Sequence, residues 1–116
     1  MRFSVAFDDD GTACVHLQGE IDCMNVATLE LLLEGLQLAG ATAVRLDASG
    51  LAFADGATLR VLLTASEVFA ANGGRLVVTN AHGPLLRLLD LFAIDLLEPV
   101  EHPRETGDPG VNPTSR

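Results

Sequence analysis

Apolar residues alternate with polar or small ones in three stretches, residues 3–7, 13–17 and 44–47, the pattern of strands that bury one face. A fourth apolar stretch, residues 75–79, follows an Asn-Gly-Gly turn at 72–74. Three aspartates and a glycine separate the first two stretches, which predicts a β-hairpin. Because at least the first three stretches have a polar face, we expect helices to cover the sheet on one side only.

Helical periodicity fills the gaps between these strands. Leucines spaced i, i+3, i+4 and i+7 predict a helix from about residue 25 to 38, with Asn25 as its N-cap and Gly40 as its end. A second helix is predicted over about 57–71, and a third begins after Gly83 and Pro84. The residues predicted to face the core are Leu29, Leu32, Leu33 and Leu36, then Leu59, Leu62, Leu63, Ser66 and Ala70, then Leu85, Leu88, Leu89 and Phe92.

The resulting order is β-β-α-β-α-β-α, with a short last strand near residues 96–100 as an option. Strands that alternate with helices of this length form parallel sheets through right-handed crossovers. We therefore predict an α/β fold with a largely parallel sheet of four or five strands, an N-terminal hairpin and three or four helices. This single domain spans residues 1–100, and residues 101–116, rich in Pro, Gly and charge, are predicted to form a disordered tail.

Composition narrows the classes of function. The chain has 116 residues, of which 48% are apolar and only 4% aromatic, so it lacks the stacking side chains of a base-binding platform. Its formal charge of −9 repels nucleic-acid phosphates and anionic lipid surfaces. No apolar run is long enough for a membrane span or a signal peptide, which predicts a cytoplasmic protein without membrane insertion.

No catalytic arrangement emerges, so the sequence predicts neither an enzyme nor a cofactor. An enzyme would depend on isolated acids such as Asp22, Asp47 and Asp55, and an aspartate at a strand end more often caps a turn or helix. Cys14 and Cys23 are predicted to be free thiols. Cys14 shares a strand face with His16, but two ligands without a third are a weak metal site, and no metal is predicted.

Four motifs in order resemble the STAS family. They are GEID at residues 19–22, VRLDASGLAFAD at 44–55, GGRLVV at 73–78 and LLRLLDL at 85–91. The second is similar to the family's LDLSGVxFIDSSGL signature. The resemblance extends over about residues 3–100.

The resemblance implies a non-catalytic, protein-binding regulatory domain of the anti-sigma-factor-antagonist kind. In that family the unphosphorylated domain binds a kinase-like anti-sigma factor and so frees a sigma factor. Phosphorylation of a serine at the start of the second helix breaks that contact, because phosphate adds about two negative charges to the contact surface. The implied partner is therefore such a kinase-like protein or a similar regulator.

The chain departs from the family at the phosphorylated position. Aligning residues 53–55 with the family's FID places Gly56 at the serine, and Thr58 lies about 200° farther around the helix. We therefore expect partner binding without serine phosphorylation. The residues predicted to contact a partner are Asp22, Asp55, Gly56, Ala57, Thr58 and Val61.

Other interpretations stay open. Residues 55–58 are also typical of a simple turn into a helix. Without the serine, the domain is also suited to a subunit role in a larger assembly, such as a lipid-transport ATPase complex or a stressosome-like scaffold; a small ligand-binding domain or enzyme has less support. Apolar residues opposite the predicted core stripes offer a surface for a partner or a homodimer. These residues are Ala27, Leu31 and Leu38 on the first helix and Val61 and Val68 on the second.

Overall fold

The computed structural model describes residues 1–92 and 96. Its strands are β1 (Arg2–Phe7), β2 (Thr12–Ile21), β3 (Ala43–Ala54) and β4 (Arg75–Thr79), and its helices are α1 (Val26–Leu38), α2 (Gly56–Ala71) and α3 (Gly83–Leu91). No helix in this part of the chain is long and apolar enough to cross a membrane.

The four strands form one sheet in the order β1-β2-β3-β4. The hairpin strands β1 and β2 are antiparallel, whereas β2, β3 and β4 run parallel to one another. The predicted α/β fold, with its hairpin and largely parallel sheet, is therefore confirmed. The predicted strand near 96–100 and the tail at 101–116 lie outside the described residues, except that the Leu96 carbonyl accepts a hydrogen bond from the Val78 N–H at 2.8 Å.

The helices cover one face of the sheet, and the core lies between. Alternate residues of β2, β3 and β4 point into it, including Val15, Leu46 and Val78, each about 1% exposed. The buried leucines Leu29 and Leu62 cover them from α1 and α2. The opposite face is more open to solvent and carries polar side chains at most positions, as the alternation in the sequence predicted.

Strands β2 and β3 extend farther than their alternating segments suggest. Residues 19–21, which lie beyond the alternating segment 13–17, continue β2, and residues 48–54 continue β3 as its pairing partner. The register shifts between Gly19 and Glu20, and Gly19 has a φ of +94°, which glycine adopts without strain. The bulge lets both strands continue to the start of α2.

Helix faces differ from the prediction at a few positions. In α2, Ala70 is exposed and Phe69 is buried in its place, while Val61 is half-buried against the core. In α3, Phe92, which was predicted to face inward, is 60% exposed, whereas Leu85 and Leu89 are buried as expected. The 3.6-residue period gives the helix face only to within about one position, and the neighbouring elements determine which residue is covered.

Strand β4 begins at a backbone contact that only glycine allows. The Gly74 N–H donates to the Phe69 carbonyl at 2.8 Å, and the Arg75 N–H donates to the Thr42 carbonyl at 3.2 Å. A Cβ atom added to Gly74 would overlap the Thr42 carbonyl oxygen. The entry to β4 therefore lies directly against the entry to β3.

Candidate functional site

Two loops meet where β2 and β3 end. The Cys23 N–H, just after β2, donates to Oδ2 of Asp55 at 3.1 Å, and the Thr58 hydroxyl, on the first turn of α2, donates to the Ile21 carbonyl at 3.2 Å. We call residues 22–25 and 55–58 together the loop junction. The structure thus brings Asp22 and the start of α2, both predicted site elements, to one end of the molecule.

Asp55 is the N-cap of α2. Its Oδ1 accepts hydrogen bonds from the Thr58 N–H at 3.1 Å and from the Thr58 hydroxyl at 3.3 Å. The Thr58 N–H bond contributes most to a pKa of Asp55 below the ordinary value, and it outweighs the opposing effect of desolvation. Asp55 therefore holds the helix start and the preceding loop together as a carboxylate.

Asp22 organises the other half of the junction. Its Oδ1 accepts from the Met24 N–H at 2.9 Å, and its carbonyl accepts from the N–H groups of Asn25 and Val26. Asn25 is the N-cap residue of α1, as predicted, but its side chain makes no cap hydrogen bond. It instead accepts from the Asp22 N–H at 3.0 Å and donates to the Glu20 carbonyl at 2.9 Å, which fixes the loop to the end of β2.

Gly56 and Thr58 occupy opposite environments on the first turn of α2. Gly56 is exposed, its φ is not in the left-handed region, and a Cβ added to it meets nothing within 4 Å. Thr58 is only 1% exposed. Thr58, which was predicted to contact a partner, directs its hydroxyl inward to Ile21 and Asp55.

Exposed apolar side chains lie in the loop junction and beside it. Met24, between Cys23 and Asn25, is 87% exposed, and Phe53, two residues before Asp55, is 42% exposed. One turn along α2, Val61 lines a groove between α1 and α2 that Glu30 and Glu34 also line. The surface around the junction therefore combines apolar contacts with negative charge.

The predicted apolar stripes on the two helices do not line a common groove. Val61 and Val68 line the groove between α1 and α2, but Leu31 and Leu38 are not among its lining residues. Leu31 is 68% and Leu38 89% exposed, so these two leucines form a separate outward face of α1.

A hydrogen-bonded network lies on the open face of the sheet. The His16 Nδ1 and Asp47 Oδ2 atoms are 3.0 Å apart, and Asp47 Oδ1 accepts from the Ser49 N–H at 2.9 Å and from Asn80 Nδ2 at 3.1 Å. Burial opposes ionisation of Asp47, yet hydrogen bonds from Ser49 and Asn80 outweigh it and lower its pKa well below the ordinary range. The network joins β2 and β3 to the residue after β4.

The acids that would support an enzyme are used in turns and caps. Asp22, Asp47 and Asp55 each accept a hydrogen bond from a backbone N–H two or three residues farther along the chain. Cys14 and Cys23 are free thiols, as predicted. Residues 1–92 and 96 contain no cluster of three side chains suited to hold a metal ion.

Sequence patterns miss several parts of this site. Nothing in the local pattern marks Thr58 as buried, because its partner Ile21 lies 37 residues away. The sequence also does not indicate that Met24 and Phe53 are exposed, since Met and Phe are usually buried in the core. Asp55 was predictable as a cap, because aspartate at a strand end often caps the following turn or helix.

This chain matches a known protein family. A family model described as "Mlab, STAS domain" matches residues 5–99. No curated protein matches the chain.

Several solved structures share the fold. The anti-sigma factor antagonist SpoIIAA of Bacillus, in its unphosphorylated form, has a TM-score of 0.71 and 19% identity, over 80% of this chain and 82% of that one. An anti-sigma factor antagonist from Mycobacterium paratuberculosis has a TM-score of 0.70 and 27% identity, over 81% and 79%. A putative antagonist from Thermotoga maritima has a TM-score of 0.74 and 17% identity, over 80% of each chain.

Proposed function

Because the chain belongs to the STAS-domain family, we propose that it is a non-catalytic regulatory domain that binds a kinase-like anti-sigma factor or a similar regulatory protein. The contact surface is the exposed part of the loop junction, with Asp22, Asp55, Gly56 and Ala57, together with Val61 one turn along α2. We place this role in the cytoplasm, where kinase-like regulators and their ATP are found.

The observation that carries the proposal is the construction of the junction itself. Hydrogen bonds from Cys23 to Asp55 and from Thr58 to Ile21 hold the two loops in one arrangement without any partner. A surface fixed in advance loses little conformational freedom on binding. Met24 and Phe53 add exposed apolar area beside it, which suits a protein partner better than a small polar ligand.

We further propose that binding is not controlled by phosphorylation at the start of α2. Gly56 has no hydroxyl, and the Thr58 hydroxyl is buried and engaged with Ile21. A kinase would have to unfold the first turn of α2 to reach it. The abundance of the protein, or the state of the partner, then determines how much complex forms.

Substitutions at Gly56 test both parts of the proposal. With the cognate kinase-like anti-sigma factor and ATP, we expect no phosphate on the wild-type protein by mass spectrometry, whereas Gly56→Ser becomes a substrate. Gly56→Asp should weaken binding, measured by calorimetry, by about 1–3 kcal/mol because it introduces a charge into the contact.

Two controls make the test specific. Gly56→Ala should bind like wild type, since the added Cβ meets nothing within 4 Å. Gly35→Asp adds the same charge at an exposed glycine of α1 with equally open surroundings and should also leave binding unchanged. Phosphorylation of the wild type at Thr58, or equal weakening by both aspartates, would contradict the proposal.

The second candidate function is a subunit of a larger assembly, in which the domain braces a partner without a phosphorylation cycle. The inward-facing Thr58 hydroxyl and the glycine at position 56 support this assembly role as well as they support the first proposal. Purification from native cells separates the two. An assembly subunit elutes with several proteins in fixed ratio whether or not ATP is present, whereas a partner-switching domain elutes with a single kinase-like protein.

A further inference from the structure

Strand β1 lies at the edge of the described sheet and exposes a strip of apolar side chains. Within residues 1–92 and 96 it pairs only with β2, and all six of its residues are exposed. Phe3, Val5 and Phe7 point to the helix-covered side of the sheet but remain 42%, 37% and 57% exposed. Exposed edge strands usually carry proline, lysine or a bulge to prevent pairing with another strand. Strand β1 has neither residue, and its register with β2 is regular.

The direction of the backbone groups in β1 follows from its pairing with β2. The Asp8 N–H donates to the Thr12 carbonyl at 2.9 Å, so Asp8 lies in a hydrogen-bonded pair of the antiparallel ladder. Because such pairs alternate along the strand, the even-numbered residues direct their N–H and C=O groups toward β2. Phe3, Val5 and Phe7 therefore direct theirs outward, away from the sheet.

We propose that β1 pairs antiparallel with β1 of a second copy of this chain, forming a two-fold symmetric dimer with one continuous eight-stranded sheet. The outward groups require the odd-numbered residues of the two copies to pair with one another. Centring the two-fold axis on Val5 places Phe3 opposite the second copy's Phe7, so the two apolar strips meet completely.

Charge complementarity selects the same register. With Val5 on the axis, Arg2 of each copy lies opposite Asp8 of the other. Both side chains lie on the open face of the sheet, where Asp8 already approaches Arg45 at 4.0 Å. Shifting the register by two residues in either direction leaves both phenylalanines without an aromatic partner and separates Arg2 from Asp8. The contact is smaller than a standard interface, so we expect a concentration-dependent dimer of micromolar affinity.

Sedimentation across protein concentrations tests this dimer. Val5→Pro removes an N–H that points outward and no N–H that pairs with β2, so the variant should fold and remain monomeric. Arg2→Asp sets like charges against each other twice per dimer and should weaken association about tenfold or more. Combining Arg2→Asp with Asp8→Arg restores opposite charges and should recover most of the affinity. Circular dichroism checks folding, and if Val5→Pro is unfolded the charge variants decide.

The exposed face of α1 provides the matched control. Changing Leu31 and Leu38 to Lys removes a second exposed apolar strip and should leave the dimer unchanged. A wild-type protein that stays monomeric at millimolar concentration would overturn the proposal. So would a dimer that survives the β1 substitutions but is lost when Leu31 and Leu38 are changed. Neither result bears on partner binding at the loop junction, which involves other residues.

Discussion

The loop junction and strand β1 both lie at the surface. The junction binds its polar groups internally, whereas β1 leaves backbone groups and apolar side chains exposed. At the junction, Asp55 and Thr58 bind backbone groups of the neighbouring loop, and a side chain is buried to do so. In β1, Phe3, Val5 and Phe7 leave outward backbone groups and apolar surface exposed. The comparison distinguishes a surface held rigid by its own contacts from one that remains available for pairing.

Of the changes made in the loop junction and in β1, the largest effect is expected at the buried part of the junction. Thr58→Val keeps the shape of the side chain but removes the hydroxyl that binds the Ile21 carbonyl, which should lower the free energy of unfolding by about 1–3 kcal/mol. Urea unfolding followed by circular dichroism measures this loss. Thr64→Val, at an exposed threonine of the same helix, is the matched control. Equal losses in the two variants would mean that the junction contributes no special stability.

A smaller effect is expected in β1. Phe7 keeps 57% of its surface exposed, so Phe7→Ala should cost about 1 kcal/mol, measured at a concentration where the protein is monomeric. Phe69, only 2% exposed, should lose about 3–5 kcal/mol on the same change. Equal losses of unfolding free energy for Phe7→Ala and Phe69→Ala would show that β1 is packed more tightly than its exposure suggests.

The smallest effect depends on pH. Asp55→Asn keeps a capping oxygen but loses the charge, so its Tm should fall by about 2–4 °C at neutral pH. Because folding lowers the pKa of Asp55, the advantage of the wild type is complete above about pH 4, the ordinary pKa, and disappears as the pH falls through the lowered value.

Thermal unfolding of the wild type and of Asp55→Asn, measured between pH 7 and 2, gives their difference in Tm at each pH. Asp9→Asn, in the exposed hairpin turn, is the matched control for removing one carboxylate charge. A constant gap between wild type and Asp55→Asn at all pH values would show that the charge of Asp55 is not what stabilises the junction.

Local patterns predicted the order of the elements because alternation and helical spacing depend only on neighbouring residues. They also marked Asp55 as a cap, since capping acts across three residues. They failed at Thr58, whose environment depends on a strand 37 residues earlier, and at the continuation of β2 past Gly19, which depends on pairing with β3. Contacts between distant segments determined the details of the site.

Gly56, which begins α2, and Gly74, which precedes β4, differ in which other residues the fold allows at their positions. At Gly74 the Thr42 carbonyl leaves no room for any side chain, so the fold itself forbids every other residue there. At Gly56 the space is open and the backbone is ordinary for any residue. A serine at position 56 would therefore cost this fold almost nothing, so the fold itself does not require glycine there.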